Sequence, residues 1–388
     1  MTSNKYPASN NQHQASGVRH PVSGNPHPAS GSQDTASINR PFIIPVFLPH
    51  AGCPHQCVFC NQVSITGRRH GAIAPDQIRS QIHQFLQYKI EGRKPVQISF
   101  YGGNFLGLNP GNINRLLDLA VDFIRQGQVD SIRFSTRPDT ITPDHLDIIA
   151  DYPVETVELG VQSMDDHVLT QAGRGHSAED TVRAVKQLKA YPFNIGLQMM
   201  VGLPGDNEIR ALTTAAKIAA LQPDFVRIYP TVVVRNSKLA RWYQNGSYTP
   251  LGLEEAVTLV KKIYLLFKNH NLPVIRMGLQ AAEELEDDST VLAGPYHPAF
   301  GHLVYSEVFL DAAREAIENV ETLAETITIA VNPRSISKMR GLKNLNIDKL
   351  KRQYQFKTVA VVPDASLATD ELMVRYPKSQ SRIRRSRK

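Results

Sequence analysis

Residues 53–60 read Cys53-Pro-His-Gln-Cys57-Val-Phe-Cys60, and these are all the cysteines of the 388-residue chain. A C-x3-C-x2-C run that takes every thiol in a protein of this length points to ligation rather than packing. Three thiolates at that spacing can hold three irons of a [4Fe–4S] cube and leave the fourth iron open to a small chelating molecule. The same residues admit other uses. A structural zinc needs four ligands, so His50 or His55 would have to complete the set. A ferredoxin-type cluster asks for a fourth cysteine, which the chain lacks. The odd count and an N-terminus without an apolar leader-like segment argue against a disulfide framework.

Outward from the cysteines, strand and helix signals alternate. Phe42–Leu48 is a short apolar run of the kind that forms a buried strand. Strands are expected at 96–101, 131–136, 156–161, 194–201 and 225–229. Helices are expected at 112–125, from Pro143 onward, and at 178–190, 208–221 and 253–269, with proline favoured at a first helical position. Repeated βα units imply a parallel sheet with helices outside it. Six such units after the cysteine loop fit the α/β class, as a partial (β/α)6 TIM-like barrel over residues 41–290.

An acidic stretch at Glu286, Asp287 and Asp288 and the run Gly294-Pro-Tyr-His-Pro-Ala-Phe300 mark a break. Residues 291–376 then read as a small α+β module, with a helix at 303–317, strands at 326–331 and 357–362, and a polar loop and helix between them. Residues 1–40 are rich in Ser, Asn, His, Gln, Pro and Gly without apolar periodicity, and are expected to lack order. The net charge of +7 resides almost wholly in a tail at 377–388, where Lys378, Arg382, Arg384, Arg385, Arg387 and Lys388 stand without an acid. Such a tail suits RNA phosphates or a solubilising end. With no apolar run of the ~20 residues a membrane span needs, the chain is expected to be cytoplasmic, where thiolates stay available to iron.

Parallel α/β barrels collect reactive groups at the C-terminal ends of their strands, and each remaining motif sits at such an end. Gly102-Gly103-Asn104 follows the second strand, where glycines allow close backbone approach to a ligand. Ser135-Thr-Arg-Pro-Asp139 ends the third, Glu158-Leu-Gly-Val-Gln-Ser163 the fourth and Gln198-Met-Met-Val-Gly-Leu-Pro-Gly205 the fifth. Together with the cysteine run, and in this order, they resemble the radical S-adenosylmethionine (SAM) proteins, in the group that holds the Elongator catalytic subunit and the oxygen-independent coproporphyrinogen oxidases. The resemblance covers residues 42–300.

The resemblance implies that Cys53, Cys57 and Cys60 ligate a [4Fe–4S] cluster and that Phe59 is the family's aromatic before the last cysteine. It further implies that Gly102, Gly103 and Asn104 hold the SAM amino group through their backbone, and that Ser135, Gln162, Arg174 and Gln198 meet its ribose or carboxylate. Arg174 also reads as a solvated loop charge, and Gln162 as a hydrogen-bond partner within the barrel. The family cleaves SAM reductively to a 5′-deoxyadenosyl radical that removes hydrogen from a substrate carbon, with a flavodoxin or ferredoxin type of electron donor. The substrate, the atom attacked and any catalytic side chain are not specified by the motifs.

Three departures stand out. Asn104 takes a place where Glu or Thr is common; the gap between the first two cysteines is shorter than in the Elongator subunit; and the residues after the barrel are too few for an acetyltransferase domain. The Elongator likeness, the basic tail and Lys338, Arg340 and Lys343 suggest RNA as substrate. A small molecule or peptide, or a cluster- or zinc-bearing RNA-binding scaffold without turnover, are the other readings.

Overall fold

Each strand of the larger unit presents apolar side chains outward to a layer of helices, and these two layers make its core. The computed structural model describes residues 17–21, 41–62, 74–88, 92, 94–279, 290–319 and 324–377. They fall into two units, His27–Gly301 and Met1–Pro26 with His302–Lys388. In the first, β2 (Phe42–Phe47), β3 (Val96–Tyr101), β4 (Ser131–Thr136), β5 (Val154–Gln162), β6 (Asn194–Val201), β7 (Phe225–Pro230) and β9 (Val274–Met277) form one curled, wholly parallel sheet in chain order. Phe100 and Phe134, on the outer face of β3 and β4, are fully buried, as is Phe123 on the helix Pro110–Arg125. Phe105 stacks between Phe100 and Phe134, with ring centroids 5.1 and 4.6 Å away.

Helix starts follow their capping residues. Asn109 accepts from the Asn112 amide at 2.8 Å ahead of a first-turn proline, and Ser177 and Asp180 form a capping box at the start of Ala178–Leu188. The helix Leu253–Asn269 buries Ala256, Val260, Ile263 and Phe267 as one stripe.

Strand alternation puts a different population on the inner face. Gln97, Ser99 and Tyr101 of β3, Arg133 and Ser135 of β4, Glu158 of β5, Gln198 of β6 and Arg227 of β7 share that face, and register makes them near neighbours. A closed TIM barrel fills this space with branched apolar layers. Here a polar lumen faces the open side of a half-barrel.

The expected fold class is the one found, with a seventh strand, β9, added to the expected six units. Val274-Ile-Arg-Met277 is too short and too interrupted by its arginine to signal a strand locally. The helices Asp166–Gln171 and Lys238–Gln244 and the small antiparallel pair β8 (Val233–Val234) and β10 (Val291–Ala293) are likewise additions. Because β10 pairs with β8, residues 291–293 belong to the larger unit, and the division falls after Gly301 rather than at 290.

In the second unit, β11 (Thr326–Val331) runs parallel to β12 (Thr358–Pro363) through the helices Ile336–Arg340 and Leu345–Tyr354. β13 (Glu371–Arg375) lies antiparallel to β11, and β1 (Gly17–Pro21) antiparallel to β13, giving the order β1-β13-β11-β12. The expectation of no order across 1–40 is therefore corrected at Gly17–Pro21. A sheet edge can order a segment that has no apolar pattern of its own, because the backbone supplies the pairing. The basic residues of 378–388 lie outside the described residues. No helix among those described is long and apolar enough to cross a membrane.

Candidate active site

The cysteine loop leaves the C-terminal end of β2 and is clipped on three sides by backbone hydrogen bonds. The Leu48 amide donates to Tyr101 O at 2.7 Å and the Asn104 amide to Ala51 O at 2.7 Å, which ties the loop to the end of β3. The Val58 amide donates to Ala172 O at 3.0 Å, and the Leu239 amide donates to Val58 O at 2.8 Å. Phe59, half-buried, packs against two apolar clusters, one around Val233, Leu239 and Tyr248 and one around Val168, Met200 and Leu203. The aromatic before the last cysteine thus seats the loop.

Gly102 and Gly103 sit where the two loops meet. Gly103 has φ +42, its amide donates to Gln62 Oε1 at 2.9 Å, and a Cβ there would lie 2.2 Å from Ala51 O. The pair is glycine because the cysteine loop passes against it. The same Gln62 oxygen accepts from the His50 amide, and the Gln62 amide donates to His50 Nε2 at 2.9 Å. His50 is thereby engaged within the loop, and exposed His55 lies on Gly175, where a Cβ would come 2.3 Å from its ring.

Asn104 is 1% exposed and fully committed. Its Oδ1 accepts from Thr136 Oγ1 at 2.7 Å and from the Arg137 amide and Thr140 Oγ1, each at 3.0 Å. Its Nδ2 donates to Gly52 O at 3.0 Å. An amide carries its acceptor and its donor on two separate atoms, which suits asparagine here: its side chain locks the cysteine loop to the end of β4.

Arg174 is buried, not a solvated loop charge. Its Nη1 donates to Cys57 Sγ at 3.2 Å and its Nη2 to the Gly160 carbonyl, while its Nε is buried without a hydrogen-bond partner. Gln162, at a bulge of β5 and with φ +68, accepts from Gln198 Nε2 at 2.7 Å. Cys57, Arg174, Gln162 and Gln198 are thus brought together around Gly160, and half-buried Ser135 lies opposite Glu158 on the neighbouring rung.

Sequence reasoning missed Gln62, Arg137 and His176. Arg137 is 3% exposed, pairs with Asp139 through two bonds of 2.9 Å, and keeps Nη1 buried without a partner. His176 is buried, and burial followed by the charge of Arg174 lowers its pKa to about 3, so the ring is neutral. Only Arg137 lay in a quoted motif; the other two act through contacts distant in sequence.

Burial, reinforced by Cys57, pushes the Cys53 thiol up, and burial with both neighbouring thiols pushes Cys60 up to about 12. The scaffold alone therefore keeps these two thiols protonated, and thiolates there go with a bound cation. Three thiols on one loop and two buried guanidinium nitrogens awaiting acceptors fit an iron–sulfur cluster with an anionic ligand beside it. Among the described residues no three His, Cys, Asp or Glu side chains converge to hold a single metal ion. Ligands of a cube each meet a different iron and need no such convergence.

Deeper in the lumen, the buried Glu158 carboxylate faces Arg133 Nε at 3.0 Å and Arg227 Nε at 2.9 Å, at ion-pair distance though without hydrogen-bond alignment. Arg227 Nη2 donates to Glu158 Oε1 and to Tyr101 Oη, each at 3.1 Å, and Nη1 to Tyr229 Oη at 3.3 Å. Burial works against the charge on Arg227, but Glu158 and the two phenols outweigh it and its pKa rises.

Residues 47–218 match the family model of the Radical SAM superfamily, and residues 223–309 match the Radical SAM C-terminal domain. An uncharacterized protein of Methanocaldococcus jannaschii is 31% identical over 232 residues, covering 56% of this chain and 70% of that protein. The tRNA uridine(34) acetyltransferase of Dehalococcoides mccartyi is 25% identical over 231 residues, covering 51% of this chain and 50% of that enzyme. This chain therefore spans half the length of that relative. Among solved structures, the archaeal Methanocaldococcus infernus Elp3 with an N-terminal deletion superposes with a TM-score of 0.53 at 20% identity, over 69% of this chain and 62% of that one, a likeness of fold.

Proposed function

This chain belongs to the radical SAM superfamily, and from that premise we propose that Cys53, Cys57 and Cys60 each bind one iron of its cluster. It is an enzyme of that superfamily whose cofactors are a [4Fe–4S] cluster and SAM, and it needs a reductant. When bound, these cofactors supply reductive cleavage of SAM to a 5′-deoxyadenosyl radical. The chain's own residues position and shield. Arg174 and Arg137 would give charge-assisted hydrogen bonds to the SAM carboxylate, the Gln162–Gln198 pair and Ser135 would meet its ribose, and the backbone of Gly102, Gly103 and Asn104 would hold its amino group. The observation that carries this assignment is Arg174, which joins Cys57 Sγ to Gly160 O with its Nε buried and unpartnered. Anaerobic reconstitution with iron and sulfide, followed by an assay for reductant-dependent 5′-deoxyadenosine, tests it. Stoichiometric zinc without iron in anaerobically handled protein would sink it.

Replacing Arg174 by alanine is expected to weaken SAM binding by about 1.5–3 kcal/mol, tenfold or more, since the lost bonds involve a charged group. Unchanged SAM affinity would reduce Arg174 to a brace for Cys57.

The substrate is proposed to be RNA, of the tRNA class, with an electron donor of the flavodoxin or ferredoxin type. Support comes from the tRNA-modifying relative and from the basic residues of 378–388. Deleting those residues is expected to weaken binding to unrelated RNAs alike, and to remove ~0.7–0.9 from the slope of log K against log salt per lost phosphate contact. Equal affinity and slope with and without them would shift the assignment to a small-molecule substrate.

A further inference from the structure

One rung of the parallel sheet runs Gly160–Gln198–Arg227–Arg276 across β5, β6, β7 and β9, each residue the register partner of the next. Gly160 is where Arg174 anchors beside Cys57. Arg276 stands three strands away, about 14 Å along the sheet at ~4.8 Å per strand, and less across the curled lumen. In-register neighbours of parallel strands project to the same face, and Arg227 reaches into the lumen toward Glu158 and Tyr101. β7 and β9 shift register between Val226 and Arg227; beyond the shift Arg227 pairs with Arg276 and Ile228 with buried Met277, and this stretch places Arg276 on the lumen face.

Its charge has no counter-charge among the described residues. Glu158, the carboxylate at this level, is already shared by Arg133 and Arg227. Half-buried Arg276 makes no side-chain hydrogen bond or ion pair among the described residues, and it sits beside a like charge on the next strand, which is unfavourable. Among the described residues the guanidinium groups of Arg133, Arg227 and Arg276 stand near the single carboxylate of Glu158, while Glu155 is engaged by Gln97 and Ser131, in a confined space where charge is weakly screened. Arg276 is thus half-buried, without a partner among the described residues, and on the same rung as Gly160 and Gln198.

We infer that Arg276, backed by Arg227, binds an anionic group of the substrate, a phosphate or a carboxylate, and so sets which part of the substrate lies before the radical. The inference rests on the proposed cofactor assignment for its place in the reaction, but the anion site is measured independently of turnover. Arg276 is a specificity residue in this account, whereas Arg227 is also part of the Glu158 network and is not used in the test.

The anaerobically reconstituted protein, with SAM bound, is titrated calorimetrically with pyrophosphate and with succinate. The wild-type chain is expected to bind at least one of them. Arg276→Gln should weaken that binding roughly tenfold or more, Arg276→Lys should keep most of it because the charge remains, and Arg241→Gln, an exposed arginine on the helix Lys238–Gln244, should leave it unchanged. Preference for pyrophosphate assigns a phosphoryl-bearing substrate, and preference for succinate a carboxylate-bearing one. Binding of neither by the wild-type chain, equal affinity in Arg276→Gln, or an equal loss in Arg241→Gln would overturn the inference. SAM affinity and iron content, measured on the same samples, separate this outcome from failure of the cofactor assignment. A wild-type chain that takes up no cluster fails the latter, while an intact cluster and SAM site with an indifferent Arg276 fails only the former.

Discussion

Cys57→Ala is expected to yield a folded protein that takes up no stable cluster: after anaerobic reconstitution it should lack both iron and the brown charge-transfer absorbance of the wild-type chain. Cys57 is a buried residue, 8% exposed, and its thiol is the one that accepts from Arg174. Alanine at this position deletes a single sulfur from a small, well-clipped loop, so the fold itself should lose only about 1 kcal/mol, within the usual range for such changes. The cluster would be left with two protein anchors. Two thiolates anchor two of the four irons and leave the others without a protein ligand, so any iron–sulfur species they hold is weakly bound and readily lost. A variant that retains wild-type iron and sulfide content would show that Cys57 is not a ligand.

Asn104→Ala should be the most damaging substitution outside the cysteines. It strips the acceptor shared by Thr136, Thr140 and the Arg137 amide and the donor to Gly52, all at a 1% exposed position. Each buried polar group left unsatisfied costs ~1–3 kcal/mol, so a loss of roughly 3–5 kcal/mol in unfolding free energy is expected, large for a single change. Denaturant midpoints of the metal-free protein measure it. Asn104→Asp, which keeps the acceptor but forfeits the donor and buries a charge, should fall in the same range. A shift under ~1 kcal/mol would mean that water replaces the amide, since bridging water satisfies such groups nearly as well. Cluster uptake by Asn104→Ala should fall with stability, because the bond to Gly52 fixes the segment just before Cys53.

The sheet was legible where local chemistry is strong. β3 and β6 are runs dense in apolar residues, β4 alternates Ile132 and Phe134 with polar residues, and all three read to the residue, while the helices Pro110–Arg125 and Leu253–Asn269 announce themselves by their apolar stripes. β9, short and carrying Arg276, has no such pattern; its strand character comes from pairing with β7. The cysteine run declared its chemistry because ligation constrains residue type and spacing at once. The Asn104 side chain was not legible: the motif places it beside a cofactor, whereas its partners at 52, 136, 137 and 140 assign it to holding the loops together. Gln62 and His176 carried no local signal, since their contacts span stretches of chain that only the folded barrel brings together.

The antiparallel pairing of Gly17–Pro21 with Glu371–Arg375 imposes an order on biogenesis. A ribosome releases residue 17 long before residue 375, and at about 5–20 residues per second the delay is on the order of tens of seconds. Throughout that interval β1 has no partner, while the whole half-barrel, encoded between the two, emerges and can close. The nascent chain must therefore carry its first strand as an unpaired ribbon and dock it last, onto the edge of a sheet whose other strands have only just left the tunnel. Deletions or fusions that shorten this leading segment should spare assembly of the half-barrel and fall on the late-forming sheet, whose outermost strand they remove.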